Sequence, residues 1–275
     1  MNAPIRTLLC VGLALLHLTA ARAELVFGTP PPEIAGGREV YAPLVTHLSR
    51  LLGEPVVYRP SATWLGYQRD LREGRFDLAF DAPHFVAWRM MNSNHQPLVN
   101  LPSPLAYSVV TGGDEKSING LDDLITRRVC ALPPPHLGTM LFQNQFTDPI
   151  RQPRLVAIDG GMEEVHQALG AGLCAAAILR QGFFAQTLSD GERASLKVVY
   201  TTQELPNYAL TAGPKLTPDQ REAIIRSLSD EPDGIQASAG LRERLDPAAT
   251  ALVRSNGPDY IVHNYFLLQR AVFGW

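Results

Sequence analysis

"RVCALPPPHLGTMLFQN", residues 128–144, changes character twice in one short span. Residues 128–132 form a β-type run that stops at Pro133, Pro134 and Pro135, none of which can donate to a sheet ladder. His136 follows, and residues 138–146 are expected to be helical. Strand, loop and helix in that order make the unit from which parallel α/β sheets are built.

The same alternation runs outward in both directions. Upstream, 25–29 reads as a strand. Tyr41, Leu44, Leu48 and Leu51 mark a helix over 38–52 closed by Gly53, with Pro43 expected in its first turn. Residues 55–58 are a strand, 63–73 a helix stopped by Gly74, and 76–80 a strand. Downstream, strands are expected at 107–111, 154–158, 174–179 and 196–201, and helices at 121–125 and 162–171. Each half repeats βαβαβ, so the economical fold is α/β: two lobes with parallel sheets covered by helices. Thr217, Pro218 and Gln220 carry a capping-box pattern at the start of a late helix, and 259–272 is expected to hold another.

The amino terminus sets the compartment. Arg6, an apolar run over 8–18 and the sequence Ala21-Arg22-Ala23 read as a signal peptide cleaved after Ala23. The apolar run is too short to span a bilayer, and Cys10 inside it does not fit a lipoprotein cysteine. Residues 1–23 contain two arginines and no acid, so the exported part has 22 basic against 27 acidic residues, a net charge of −5. That balance argues against nucleic acid as a partner. Cys130 and Cys174 remain and are able to form a disulfide, which is too few for a disulfide-built scaffold.

In open parallel sheets, ligands sit beyond the carboxyl ends of strands. Five loops meet that rule here: 30–37, 60–64, 81–84, 133–139 and 159–162. Two α/β lobes in one exported chain suggest a clamp on a small solute.

Four stretches carry a resemblance: "YAPLVTHLSRLLGEPVVYRP", "LREGRFDLAFDAP", "SINGLDDLITRRVCA" and "GGMEEVHQALGAG". They resemble the periplasmic phosphonate-binding proteins, the substrate-binding components of phosphate, phosphite and phosphonate ABC importers. The resemblance runs over most of 24–230 and rests on the order of segments. It implies a type II periplasmic-binding-protein fold, with lobe 1 from 24–106 and 208–275 and lobe 2 from 107–207. Crossovers are expected near 105–108 and 206–210, with hinge closure on a ligand. It also implies an ABC permease as partner, no cofactor, and action as a monomer.

The resemblance further implies a binding site, and much of it departs from the family's pattern. The family's hydroxyl-rich anion loop falls at Pro134, Pro135, His136, Leu137 and Gly138, where only the hydroxyl of Thr139 remains. The family's aromatic wall corresponds to Trp64. Asp81 stands where a tyrosine or glycine is common, Met162 where a histidine opens a helix, and Cys174 where an acid opens a strand. Ligand-binding candidates are therefore Trp64, Asp81, His84, His136, Gly138, Thr139 and Met162. Trp64 would supply an apolar wall. Thr139 and the N–H groups after Gly138 would hold an anion, and His136 would donate to it, more strongly when protonated. Asp81 would need a cationic ligand group or a proton.

Other readings stand beside this one. Trp64, Met162, Cys174 and Tyr41 are also what a packed core would contain, and Asp81 is suited to capping the next helix. His136, Met162 and Cys174, with Asp81 or His84, are soft or borderline ligands suited to copper or zinc, although no tight ligand spacing is present. The same fold also serves proteins that dock on a membrane sensor. No GxSxG, HExxH, GxxxxGK[ST] or strand-borne GxGxxG occurs, which argues against an enzyme.

Overall fold

The computed structural model describes residues 24–31 and 37–262. The expected leader, the middle of the 30–37 loop and most of the expected 259–272 helix lie outside the described residues; that helix begins at 257–262.

The first sheet is built from β1 (Leu25–Thr29), β2 (Val56–Pro60), β3 (Leu78–Asp81), β4 (Gln96–Asn100), β10 (Ala209–Ala212) and β11 (Val253–Arg254), in the order β11-β4-β10-β3-β1-β2. The second contains β5 (Tyr107–Gly112), β6 (Arg128–Ala131), β7 (Arg154–Ala157), β8 (Ala176–Arg180) and β9 (Leu196–Thr201), in the order β7-β6-β8-β5-β9. The chain crosses between sheets twice, after β4 and after β9, and the crossing segments meet in a bridge between Leu105 and Leu205.

The crossings correct the all-parallel expectation. β1 pairs in parallel with β2 and β3, and β6 with β7 and β8. β10 enters its sheet from the opposite lobe and runs antiparallel to β3 and β4, as β5 does to β8 and β9. Central strands β1, β3, β8 and β10 are buried along their whole length. They therefore read as continuous apolar runs rather than alternating ones.

The helices follow local chemistry. α1 (Gly37–Leu52) buries Val40, Tyr41, Leu44, Val45 and Leu48 on one face. Pro43 lies in its second turn rather than the first, on the exposed side. In α2 (Trp64–Arg72), the Thr63 hydroxyl accepts from the Gly66 N–H at 3.1 Å, and Gly74 just beyond has φ +64°, the left-handed conformation that favours glycine. α3 (Pro83–Asn92) and β4, both unforeseen, complete the first sheet's upstream half. In the second lobe, α4 (Leu137–Gln143) follows the prolines and α5 (Met162–Gly170) follows β7. A short α6 (Asp190–Ala194) precedes β9. α7 (Pro218–Asp230) carries the expected capping box between Thr217 and Gln220, and α8 (Pro232–Ala237) and α9 (Ala239–Leu245) pack beside α1.

Cys130 in β6 and Cys174 just before β8 are disulfide-bonded, with Cα atoms 5.7 Å apart. The neighbouring parallel pairing of Val129 with Ala176 brings them together.

Candidate functional site

The carboxyl ends of β1, β2, β6 and β7 face one another across a cavity of about 240 Å³. Pro31 and residues 62–64 form one wall, and Leu132, Pro133 and residues 158–160 form the other. Trp64 belongs to this cavity. Its ring stacks on Phe85, with centroids 5.9 Å apart and planes 14° from parallel.

Beside the cavity the two sheets touch through polar groups. The ring of His84, at the start of α3, places Nε2 3.0 Å from the carbonyl oxygen of Pro135. The carbonyl can only accept, so Nε2 carries the proton. Both residues are buried, and the Pro134–Pro135 peptide bond is cis. His136 meets the Tyr107 ring edge-to-face at 5.3 Å. A Cβ on Gly138 would come within 2.5 Å of the same tyrosine ring. Glycine there lets the first turn of α4 lie directly on Tyr107.

Burial holds the histidines neutral. The pKa of His84 is lowered to about 3 by desolvation, with His136 and Arg89 adding repulsion and the bond to Pro135 opposing it. That of His136 is lowered to about 3 by burial and by the nearby Arg180 guanidinium. His136 is thus a neutral imidazole at ordinary pH, so the stronger donation expected of its protonated form is not available there.

Asp81 requires the clearest correction. It is fully buried, and its oxygens lie 2.6 Å from both terminal nitrogens of Arg89. The Tyr67 hydroxyl donates to it as well. Arg89 is 1% exposed and also donates through Nε to Thr211 on β10 at 3.0 Å. The cation that Asp81 needs comes from this chain, not from a ligand. Asp81 does not cap α3 either; the N-cap is Ala82, without a side-chain bond.

Two more candidates turn inward. The Thr139 hydroxyl donates to the carbonyl of Leu132 at 2.6 Å, so the one hydroxyl left in the loop braces it. The Met162 sulfur, in a side chain 4% exposed, accepts from the backbone N–H of Arg180 at 3.3 Å. These engagements also dismantle the copper or zinc reading. Cys174 is bonded to Cys130, Asp81 to Arg89 and Met162 to a backbone amide. Among the described residues no group of three or more His, Cys, Asp or Glu converges.

Arg180 escaped the sequence reading. It ends β8 close enough to His136 to repel its protonated form, its guanidinium lies 5.7 Å above the Tyr208 ring, and Nη1 donates to Leu245 O at 3.4 Å. It lines a second cavity of about 210 Å³ where the crossovers pass, together with Leu105, Asn207 and Asp246. An arginine ending an apolar strand was the available signal.

Two mixed sheets joined by two crossovers, with a cavity walled by strand ends of both, define a periplasmic binding protein of the type II class. The profile of a family described as ABC transporter, phosphonate, periplasmic substrate-binding protein matches residues 35–246, and the chain belongs to that family. It is a periplasmic substrate-binding component of an ABC importer. No curated protein matches it by sequence. Among solved structures it is similar to PhnD1 of Prochlorococcus marinus in complex with methylphosphonate, at 15% identity and a TM-score of 0.72, covering 91% of this chain and 99% of that one. A binding component of a Pseudomonas aeruginosa phosphonate transporter is similar at 13% identity and a TM-score of 0.68, over 91% of this chain and 88% of that one. A Xanthomonas citri protein bound to ATP is similar at 14% identity and a TM-score of 0.69, over 90% and 97%. These likenesses establish the fold.

Proposed function

We propose that the chain binds a phosphonate or a phosphate-like oxyanion between a lobe of residues 24–106 and 208–275 and a lobe of residues 107–207, and delivers it as a monomer to a permease. The observation that carries this reading is the cavity at Trp64, whose walls come from strand ends of both sheets. A ligand touching both walls favours the closed form, because only that form satisfies both sets of contacts at once. The crossovers, held by the Leu105–Leu205 bridge, act as the hinge. The chain is exported on residues 1–23, cut after Ala23, and carries out no catalysis.

In this reading Trp64 is the apolar wall, while His84 fastens the loop before α4 through Pro135 and His136 packs on Tyr107 behind it. Gly138 and Thr139 shape the loop, while Asp81 and Met162 act behind the wall.

The test is a thermal-shift screen of the exported protein with methylphosphonate, phosphate, phosphite, sulfonates, amino acids and copper or zinc salts. A phosphorus oxyanion is expected to stabilise saturably; mass action gives about 2.7 kcal/mol at a hundredfold excess over Kd. Trp64→Ala, which removes the ring from the cavity wall, should reduce that gain. Stabilisation by metal salts or amino acids alone would overturn the reading.

A further inference from the structure

We propose that the pole of the second lobe opposite the cavity, built around Arg128, Arg151 and Arg154, is a docking surface for a bilayer of anionic phospholipids. None of these residues lines the cavity assigned to the ligand.

Four exposed arginines meet where the second sheet begins. Arg128 starts β6 and Arg154 starts β7, and Arg127 and Arg151 lie in the segments leading into them. Backbone bonds tie the two approaches together: the Arg154 N–H donates to Arg127 O at 2.8 Å, and the Thr126 N–H to Gln152 O at 2.9 Å. Arg128 and Arg154 are register partners in the parallel pairing, so their side chains leave the sheet on the same face. Neighbouring strands lie about 4.8 Å apart, and like charges set side by side destabilise a sheet. Arg128 donates to the Gly172 carbonyl at 3.4 Å and Arg127 to the Ser117 hydroxyl at 3.3 Å, and neither partner carries a charge. Among the described residues, none of the four arginines is in an ion pair. Acids on adjoining loops are turned to backbone amides: Asp123 to that of Asn119, Asp148 to that of Ile150 and Glu115 to that of Ser117. The pKa of Glu115 is lowered chiefly by its bonds to Ser117, with Arg127 adding attraction, so Arg127 is partly offset. Arg128, Arg151 and Arg154 carry the excess charge.

The surroundings select the partner. Ile150, 88% exposed, precedes Arg151, and Leu173, 44% exposed, follows the Gly172 that Arg128 touches. Cations interleaved with bare apolar side chains suit a bilayer surface, where phosphates meet the guanidiniums and the apolar groups enter the headgroup layer. None of these residues lines the cavities at Trp64 and at the crossovers, or the groove between α1 and α8–α9. Strand ends standing in the open do not enclose a lone phosphate, whereas an array of headgroups needs no pocket. The exported chain is acidic as a whole, so an anionic bilayer repels the rest of it and orients it by this pole. β6 and β7 run in parallel away from the patch, and the residues just past their carboxyl ends wall the cavity. Attached this way, the protein waits at the membrane with its cleft turned toward the solute.

Co-sedimentation of the exported protein with vesicles of phosphatidylglycerol and phosphatidylethanolamine, against vesicles of phosphatidylcholine alone, is the test. Binding is expected to the anionic vesicles only, and to fall steeply between about 50 mM and about 500 mM NaCl. Arg128→Gln combined with Arg154→Gln should weaken it roughly tenfold or more. The same variant should keep or raise Tm, because the like-charge contact is relieved. Ile150→Ser combined with Leu173→Ser should weaken binding roughly threefold or more. The thermal shift given by methylphosphonate, whatever its size, should be the same in these variants as in the parent, so the oxyanion reading and this one can fail separately. Equal binding to both kinds of vesicle, no binding to the anionic ones, or an arginine variant that binds like the parent overturns the inference. Full release by soluble glycerol phosphate would make the patch a free-anion site, and retention on polyglutamate without vesicle binding would mark an acidic protein partner. Either result overturns it as well.

Discussion

His84 on α3 and Pro135 on the loop before α4 are joined by a 3.0 Å hydrogen bond between residues carried on different sheets. A bond so placed exists only while the two strand-end surfaces face each other. A neutral hydrogen bond contributes about 0.5–1.5 kcal/mol net, and a carbonyl left buried without its donor costs about 1–3 kcal/mol. His84→Phe keeps a ring against Phe85, whose centroid lies 4.0 Å away, and removes the donor. The ligand-free variant is expected to show a larger radius of gyration by small-angle scattering, as the open form gains population. An unchanged scattering curve with only a lower Tm would make His84 a packing residue.

Asp81 and Arg89 form the second testable pair. Removing one member of a buried pair strands the other charge, at about 3–5 kcal/mol. Arg89→Met is expected to lower unfolding free energy in urea by that amount. Asp81→Leu combined with Arg89→Met should cost less than Arg89→Met alone, because no charge is then left behind. Loss of under 1 kcal/mol in the single variant would mean that water reaches Asp81, and would restore it as a ligand contact.

The same pair shows what a sequence conceals. α2 was legible because Thr63 and Gly74 punctuate it. α3 was not: its N-cap is Ala82, whose side chain makes no capping bond. β4 carries Pro97, which cannot donate to a sheet ladder, so it gave no strand pattern. Missing α3 meant missing Arg89, and without Arg89 the carboxylate of Asp81 looked like an open binding group. The strand-end rule placed the cleft loops, and the cavity draws on four of the five. It could not say which way a side chain turns within a loop. Thr139 chose the nearby carbonyl of Leu132, and Met162 a backbone amide. Arg180 stayed unseen because it terminates an apolar strand whose interest ended, in sequence, at Leu179.

Acid should unfasten the cleft. His84, His95 and His136 each have pKa values lowered to about 3, burial being the largest cause in all three. Arg89 and Arg221 add repulsion at His95, and Arg180 at His136. Unfolded histidine titrates near 6.5. Above that value both states are neutral and stability is flat. As pH falls below it, the unfolded chain binds protons that the folded chain refuses, so stability drops continuously toward about pH 3. At pH 5 the loss is on the order of 2 kcal/mol for each imidazole. Tm is therefore expected to decline from pH 7 to pH 5, and His136→Gln should flatten that decline. His84 and His136 also lie where the sheets meet, so opening hydrates and protonates them, and the open form should gain at acid pH. A Tm that holds level from pH 7 to pH 5 would show that these rings already reach water in the folded protein.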